Sequence, residues 1–163
     1  MHATLRLRSL LYFGALCLPM WTQAAIDPTG CEETWRQQPI TYAFDYAKDI
    51  QPIFGQYCSN CHVAFGGAPL GGLELNPAFS YSNIVNAPDM SLSILLVAPG
   101  DSAGSLLFRK INCTAPGSFQ GAGRMPLGRL PLSPTLQALI YDWIAAGAPM
   151  QLDRIFAGSF EVR

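Results

Sequence analysis

Two thiols and an imidazole stand within five residues, Cys58-Ser59-Asn60-Cys61-His62, and no other stretch of this chain concentrates so much reactive chemistry. C-x-x-C-H is the attachment pattern of c-type haem. Each thiol adds across one porphyrin vinyl group to give a thioether, and the adjacent histidine ligates the iron. Two intervening residues let one tight helical turn reach both vinyl carbons, with His62 projecting onto the iron's proximal face. A thioredoxin-like redox pair would need a βαβ setting, which the surrounding pattern does not provide. A zinc site would need a fourth ligand, usually from another C-x-x-C or a histidine pair, and only isolated Cys31 and Cys113 are available. The expectation is one covalently attached haem c, held at Cys58, Cys61 and His62.

The iron's other ligand is the next question. His2 lies in a removable N-terminal segment, so His62 is the single histidine of the mature chain and bis-histidine ligation within it is excluded. That leaves Met, Lys, the N-terminal amine, water or nothing. Of the mature methionines, Met90 sits in a polar turn and Met150 lies past the last helix. Met125 stands in a Gly/Pro loop just before the final helix, where small c-type cytochromes place their distal ligand, and is the expected sixth ligand. A thioether is a weak donor that favours Fe(II), so His/Met ligation raises the reduction potential. Arg124 is a candidate partner for a haem propionate, because a guanidinium forks onto a carboxylate; a solvated loop charge is the alternative. Trp143 is read as core, with the haem edge as its other possible place.

The elements that must position these residues are mostly helical. Ile40, Tyr42, Phe44 and Tyr46 alternate like a strand or an extended segment. Asp49 reads as the N-cap of a helix whose Ile50, Ile53, Phe54 and Tyr57 form one apolar face and which runs straight into the haem motif. Pro52 falls in its first turn, where a missing N–H costs nothing. Residues 63–75 form a Gly-rich loop suited either to wrap a macrocycle edge or to turn at the surface. A short helix is expected from Asn76-Pro77 to about Val85, with Phe79, Asn83 and Ile84 inward. Another is expected from Asp101 to about Ile111, with Leu107 and Ile111 inward. Residues 112–132 read as a second irregular loop. Ser133-Pro134 pairs an N-cap with an N1 proline and opens a last helix carrying Leu136, Leu139, Ile140, Trp143 and Ile144, which stops at Gly147.

Composition sets the compartment and the partners. The chain has 163 residues, half of them hydrophobic and 13% charged, enough for one domain with a sizeable core. Arg6 and Arg8, the apolar run Leu10–Met20 and the small residues of Thr22-Gln23-Ala24-Ala25 read as a secretory signal over 1–25. That run is too short to span a bilayer, and nothing later approaches transmembrane length. Cys17 follows Leu16 where lipoproteins carry a small residue, so no lipid anchor is expected. The mature chain holds eight basic and eleven acidic residues. No basic stripe exists to neutralise phosphates, which argues against nucleic acid as a partner. The expected destination is periplasmic or extracellular. There Cys31 and Cys113 are expected to form a disulfide, closing a loop of about 83 residues and stabilising by at most roughly 4 kcal/mol.

These residues together resemble the class I c-type cytochromes and, more narrowly, the planctomycete-type cytochrome c domain. The resemblance rests on Asp49-Ile50-Gln51-Pro52-Ile53-Phe54 ahead of the haem motif and Gly71-Gly72-Leu73-Glu74-Leu75 after it. It continues through Pro99-Gly100-Asp101 with Ser105-Leu106-Leu107, Met125-Pro126-Leu127-Gly128, and Leu132-Ser133 to Asp142-Trp143-Ile144-Ala145-Ala146-Gly147-Ala148-Pro149. It implies an all-α cytochrome c-like domain over 41–149, with N- and C-terminal helices crossing near a covalently bound haem and long irregular loops between. It also implies attachment at Cys58 and Cys61 and axial ligation by His62 and Met125. In the wider class a proline carbonyl orients the ligating histidine, and Pro69 is the nearest candidate. An extension over 26–40 and a tail over 150–163, whose Leu152, Ile155, Phe156 and Phe160 are expected to dock on the body, lie outside the resemblance.

The expected function is single-electron carriage between exported redox protein partners, without catalysis. Two other classes stay open. One is a haem-binding subunit of a larger redox assembly or filament. The other is a haem enzyme or gas sensor with an open distal site, against which the lack of a distal histidine weighs.

Overall fold

The computed structural model describes residues 33–64, 68–90, 93–112 and 124–152. The expected signal segment, the expected Cys31–Cys113 disulfide and the expected docking of Ile155, Phe156 and Phe160 lie outside the described residues. The described chain is mostly helical, with one small two-stranded sheet. The elements in order are β1 (Phe44–Asp45), α1 (Gln51–Tyr57), α2 (Ser59–His62), α3 (Ser80–Ile84), α4 (Leu106–Ile111), α5 (Pro134–Ala145) and β2 (Gln151–Leu152). Among the described residues, no helix is long and apolar enough to cross a membrane.

The alternation at 40–46 is satisfied by two residues of strand. β1 pairs antiparallel with β2, Phe44 opposite Leu152 and Asp45 opposite Gln151. Helical winding then begins at Tyr46, four residues before the expected start, because Asp45 and Asp49 cap one another's turn. Asp45 Oδ1 accepts from Lys48 N–H at 3.2 Å, and Asp49 Oδ2 accepts from Asp45 N–H at 2.7 Å. The opening turn, Tyr46–Ile50, is wide: Gln51 N–H donates to the Tyr46 carbonyl, five residues back. Pro52 follows at the start of α1, where it has no N–H to contribute. The expected apolar face is buried, with Ile50, Ile53 and Phe54 all under 5% exposed.

Two further helix starts differ from the sequence reading. Phe79 is 58% exposed rather than inward, because residues 77–79 form a turn and α3 begins only at Ser80. Ile84 is fully buried. Asp101 caps a local turn through Gly104 N–H at 2.8 Å, and α4 opens five residues later. Its first amides are satisfied by main chain, Leu106 and Leu107 donating to the carbonyls of Leu95 and Leu96 at 3.0 and 2.9 Å. Leu107 and Ile111 do face the core.

α5 follows its sequence signals closely. Ser133 Oγ accepts from Leu136 N–H at 3.3 Å, Pro134 sits at N1, and Gly147 ends the run at φ +91°, a conformation open to glycine at no steric cost. Its buried face presents Ile140, Trp143 and Ile144. α5 packs on α4 and on the 3-10 turn Glu33–Gln37. Trp35 of that turn, 2% exposed, meets Phe108 edge-on with centroids 5.1 Å apart and Tyr141 at 4.6 Å. Through Trp35 the turn Glu33–Gln37 is therefore part of the same core, although periodicity alone leaves 26–40 as an irregular extension. Leu152 belongs to it too, opposite Phe44.

Candidate haem-attachment site

α1 does not run unbroken into the reactive motif. It stops at Cys58, whose φ of −122° and ψ of −25° depart from helical values, and α2 restarts as a single turn. The Cys58 carbonyl accepts from Cys61 N–H at 3.1 Å and from His62 N–H at 3.0 Å. Ser59 Oγ turns back to donate to the Gly55 carbonyl at 2.6 Å, satisfying a helix-end acceptor. The break rotates the two cysteines into different surroundings. Cys58 is partly buried against the core, whereas Cys61 is exposed, and both thiols are unbridged. Burial, with the Cys61 charge as a smaller contribution, pushes the Cys58 thiol up to about 11. Reactive redox cysteines have the opposite character, with thiolates stabilised by positive surroundings.

His62 is oriented from outside its own helix. Its Nδ1 lies 2.9 Å from the Leu70 carbonyl, which only accepts, so Nδ1–H is the donor and in the neutral ring Nε2 carries the free lone pair. Such a bond fixes the tautomer and raises the basicity of a ligating imidazole. Pro69 is not the orienting residue. Its carbonyl accepts instead from Gly72 N–H at 3.0 Å, closing the short turn Leu70–Gly72 that presents the next carbonyl to the ring. Gly71 and Gly72 adopt φ of +68° and +69°, which is the physical reason for the paired glycines. A Cβ on Gly72 would also lie 2.6 Å from Met90 Sδ. Met90, 84% exposed, thus covers the turn that holds His62.

One main-chain bond closes the loop on α2, and the Glu74 side chain braces it; the sequence reading revealed neither. Leu75 N–H donates to the His62 carbonyl at 2.6 Å. Glu74 spans the loop, with Oε2 accepting from Ala64 N–H at 2.8 Å and Oε1 from Asn76 N–H at 2.9 Å. Gln51 Nε2 then donates to the Leu75 carbonyl at 3.1 Å. The one available signal was polarity out of place: Gln51 is 7% exposed on a helix otherwise buried by apolar residues, and a buried amide must have partners.

Met125 reaches the core from the other irregular segment. Its N–H donates to the Lys110 carbonyl at 2.9 Å, tying it to the end of α4. Its side chain is partly buried against the cluster that Cys58 also touches. Met90 and Met150 are both exposed. Burial also lowers the neighbouring Lys110 ammonium below its usual value, with the Asp89 charge acting the other way. Arg124 Nη2 donates to the Arg129 carbonyl at 2.7 Å, while its Nε and Nη1 are buried without a hydrogen bond. Those two nitrogens keep donors that a carboxylate oxygen, such as one of a haem propionate, could accept. Trp143 is fully buried, and its Nε1–H donates to the Pro149 carbonyl at 2.9 Å, which makes it core.

No family model, curated protein or solved structure matches this chain. Among the described residues, no three or more His, Cys, Asp and Glu side chains converge as a metal-ion site.

Proposed function

We propose that this chain is an exported single-haem c-type cytochrome that carries one electron at a time between redox protein partners. The observation that carries the reading is the Leu70 carbonyl bonded to His62 Nδ1, beside two unbridged thiols on the same turn of chain. That arrangement leaves Nε2 as the single basic nitrogen of the ring, as ligation to a metal requires.

Cys58 and Cys61 would hold haem c covalently, His62 and Met125 would ligate its iron, and Arg124 would pair with a propionate. When bound, the haem supplies a one-electron Fe(III)/Fe(II) couple. The chain's own residues set how that couple behaves. The Leu70 carbonyl would strengthen the His62 ring as a donor, and the Met125 thioether would be the weak donor that favours the reduced metal. With both His62 and Met125 as ligands, the protein would supply no open position for a substrate, which suits transfer rather than catalysis. The cytochrome c-like arrangement is supported by the way the first and last helices share one core. The Tyr46 ring lies 6.4 Å from Phe54 of α1 and 5.5 Å from Trp143 of α5.

The test is the mass and the optical spectrum, in both oxidation states, of protein exported by a host that attaches haem c, compared with Met125→Ala. The wild type should carry one added haem and a far-red sulfur-to-Fe(III) charge-transfer band. Met125→Ala should lose that band, bind carbon monoxide readily when ferrous, and drop in potential. Protein without added haem would overturn the proposal. A high-spin wild-type spectrum would replace the carrier with a haem enzyme or gas sensor.

A further inference from the structure

Beneath the attachment turn, four hydrogen bonds run in one direction through the protein interior. Tyr46 Oη and Ser80 Oγ are 2.7 Å apart. Ser80 Oγ donates to Gln51 Oε1, Gln51 Nε2 donates to the Leu75 carbonyl at 3.1 Å, and Leu75 N–H donates to the His62 carbonyl at 2.6 Å. The Leu75 carbonyl can only accept, which sets the Gln51 amide with nitrogen toward Leu75 and oxygen toward Ser80. Ser80 has a single hydroxyl proton, spent on Gln51, so the Tyr46 hydroxyl must donate to Ser80. Every donor direction is thereby determined. Tyr46, Ser80, Gln51 and Leu75 are 3%, 0%, 7% and 2% exposed, so no link has water as a ready substitute, and each broken link leaves a buried group unsatisfied.

Gln51 is the member that joins α1 to the loop, and Leu75 is the loop residue gripped on both its carbonyl and its amide. Five residues earlier the same loop presents the Leu70 carbonyl to His62 Nδ1. The separation between that carbonyl and the imidazole therefore depends on how the loop is held against α1 and α2. We propose that Gln51 is a positioning residue for His62, acting through this buried chain from Tyr46 to Leu75. It anchors the loop so that the His62 ring is gripped through its Nδ1 and its main chain through its carbonyl. Its consequence for potential rests on the cytochrome reading; its consequence for the loop does not.

The test uses the exported, haem-matured protein and three variants. Gln51→Met keeps the length of the side chain and removes both of its hydrogen bonds. Ser80→Ala breaks the chain one step earlier with Gln51 in place, and serves if Gln51→Met fails to fold. Ile140→Val, at a fully buried position on α5, controls for general softening of the core. Amide hydrogen exchange at Leu75, relative to the slowest α5 amides, should accelerate by about tenfold or more in the first two variants and stay unchanged in the third. The reduction potential of the first two should move upward, because a loosened Nδ1–H bond makes His62 a weaker donor, and that of Ile140→Val should hold. Unchanged Leu75 exchange in both test variants would overturn the proposal. So would faster exchange without a change in potential, or an equal potential change in Ile140→Val. A wild-type chain exported without attached haem would instead overturn the cytochrome reading, and Leu75 exchange would then decide this proposal by itself.

Discussion

Tyr46 should make this protein lose stability in alkali, and replacing it with phenylalanine should remove that loss. Its hydroxyl is buried, and burial pushes its ionisation up to about 12 from the usual 10.0, with the Ser80 hydrogen bond opposing the shift and Tyr81 adding to it. The folded pKa lies above the unfolded one, so the stabilising difference is complete below pH 10. It shrinks as the pH rises through the folded value near 12, because the unfolded chain releases the phenolic proton first. Two pKa steps correspond to at most about 2.7 kcal/mol, or about 2 kcal/mol once solvent screening around the hydroxyl is allowed for. Tyr46→Phe forfeits the bond to Ser80, a cost of about 1 kcal/mol at neutral pH. The two proteins should therefore differ by about 1 kcal/mol in favour of the wild type at pH 8, and the order should reverse at about pH 11, where the loss overtakes the hydrogen bond. Urea unfolding followed by circular dichroism at half-unit steps from pH 8 to 12 reads the difference directly, since the other titrating groups are common to both chains. Parallel curves would refute the reasoning. They would mean that the Tyr46 hydroxyl is as easily ionised in the folded protein as in the unfolded one.

Other perturbations have equally definite outcomes. Gly71→Ala and Gly72→Ala should each cost about 1–2 kcal/mol in unfolding free energy, from positive φ alone. Their equality would show that exposed Met90 swings aside from the added methyl at position 72, and a much larger cost at 72 would show that it cannot. Trp35→Ala should lower stability by about 3–5 kcal/mol, as for other fully buried aromatics, measured by the denaturation midpoint. A loss below about 1 kcal/mol would detach residues 33–37 from the core. Cys61→Ala should leave at most a single thioether, seen as a red-shifted reduced α-band, and Cys58→Ala with Cys61→Ala should carry no covalent haem by mass. Full haem mass on the double variant would move the attachment elsewhere.

The pentapeptide on which the proposed attachment rests needed no fold to be noticed, because its pattern is a local spacing along the chain. The same locality made α5 readable, since Ser133, Pro134 and Gly147 act within a few residues of their own positions. Helix starts at Tyr46, Ser80 and Leu106 were harder. The first depends on two aspartates exchanging bonds, and the last on carbonyls of residues 95–96 arriving from another segment. Trp35 carried no periodicity to reveal its burial between Phe108 and Tyr141.

What the amino-acid sequence determined by itself was a pair of thiols and one histidine at the spacing of a haem attachment. It also supplied Met125 before the last helix, the residue proposed as the second ligand. Only the tertiary structure decided that Leu70 rather than Pro69 orients His62, that Glu74 and Gln51 hold the loop, and that Arg124 keeps two donors unspent. A side chain's type is written in the sequence, whereas a main-chain carbonyl is the same at every residue. Which carbonyl meets the ring is settled by how the loop closes in space.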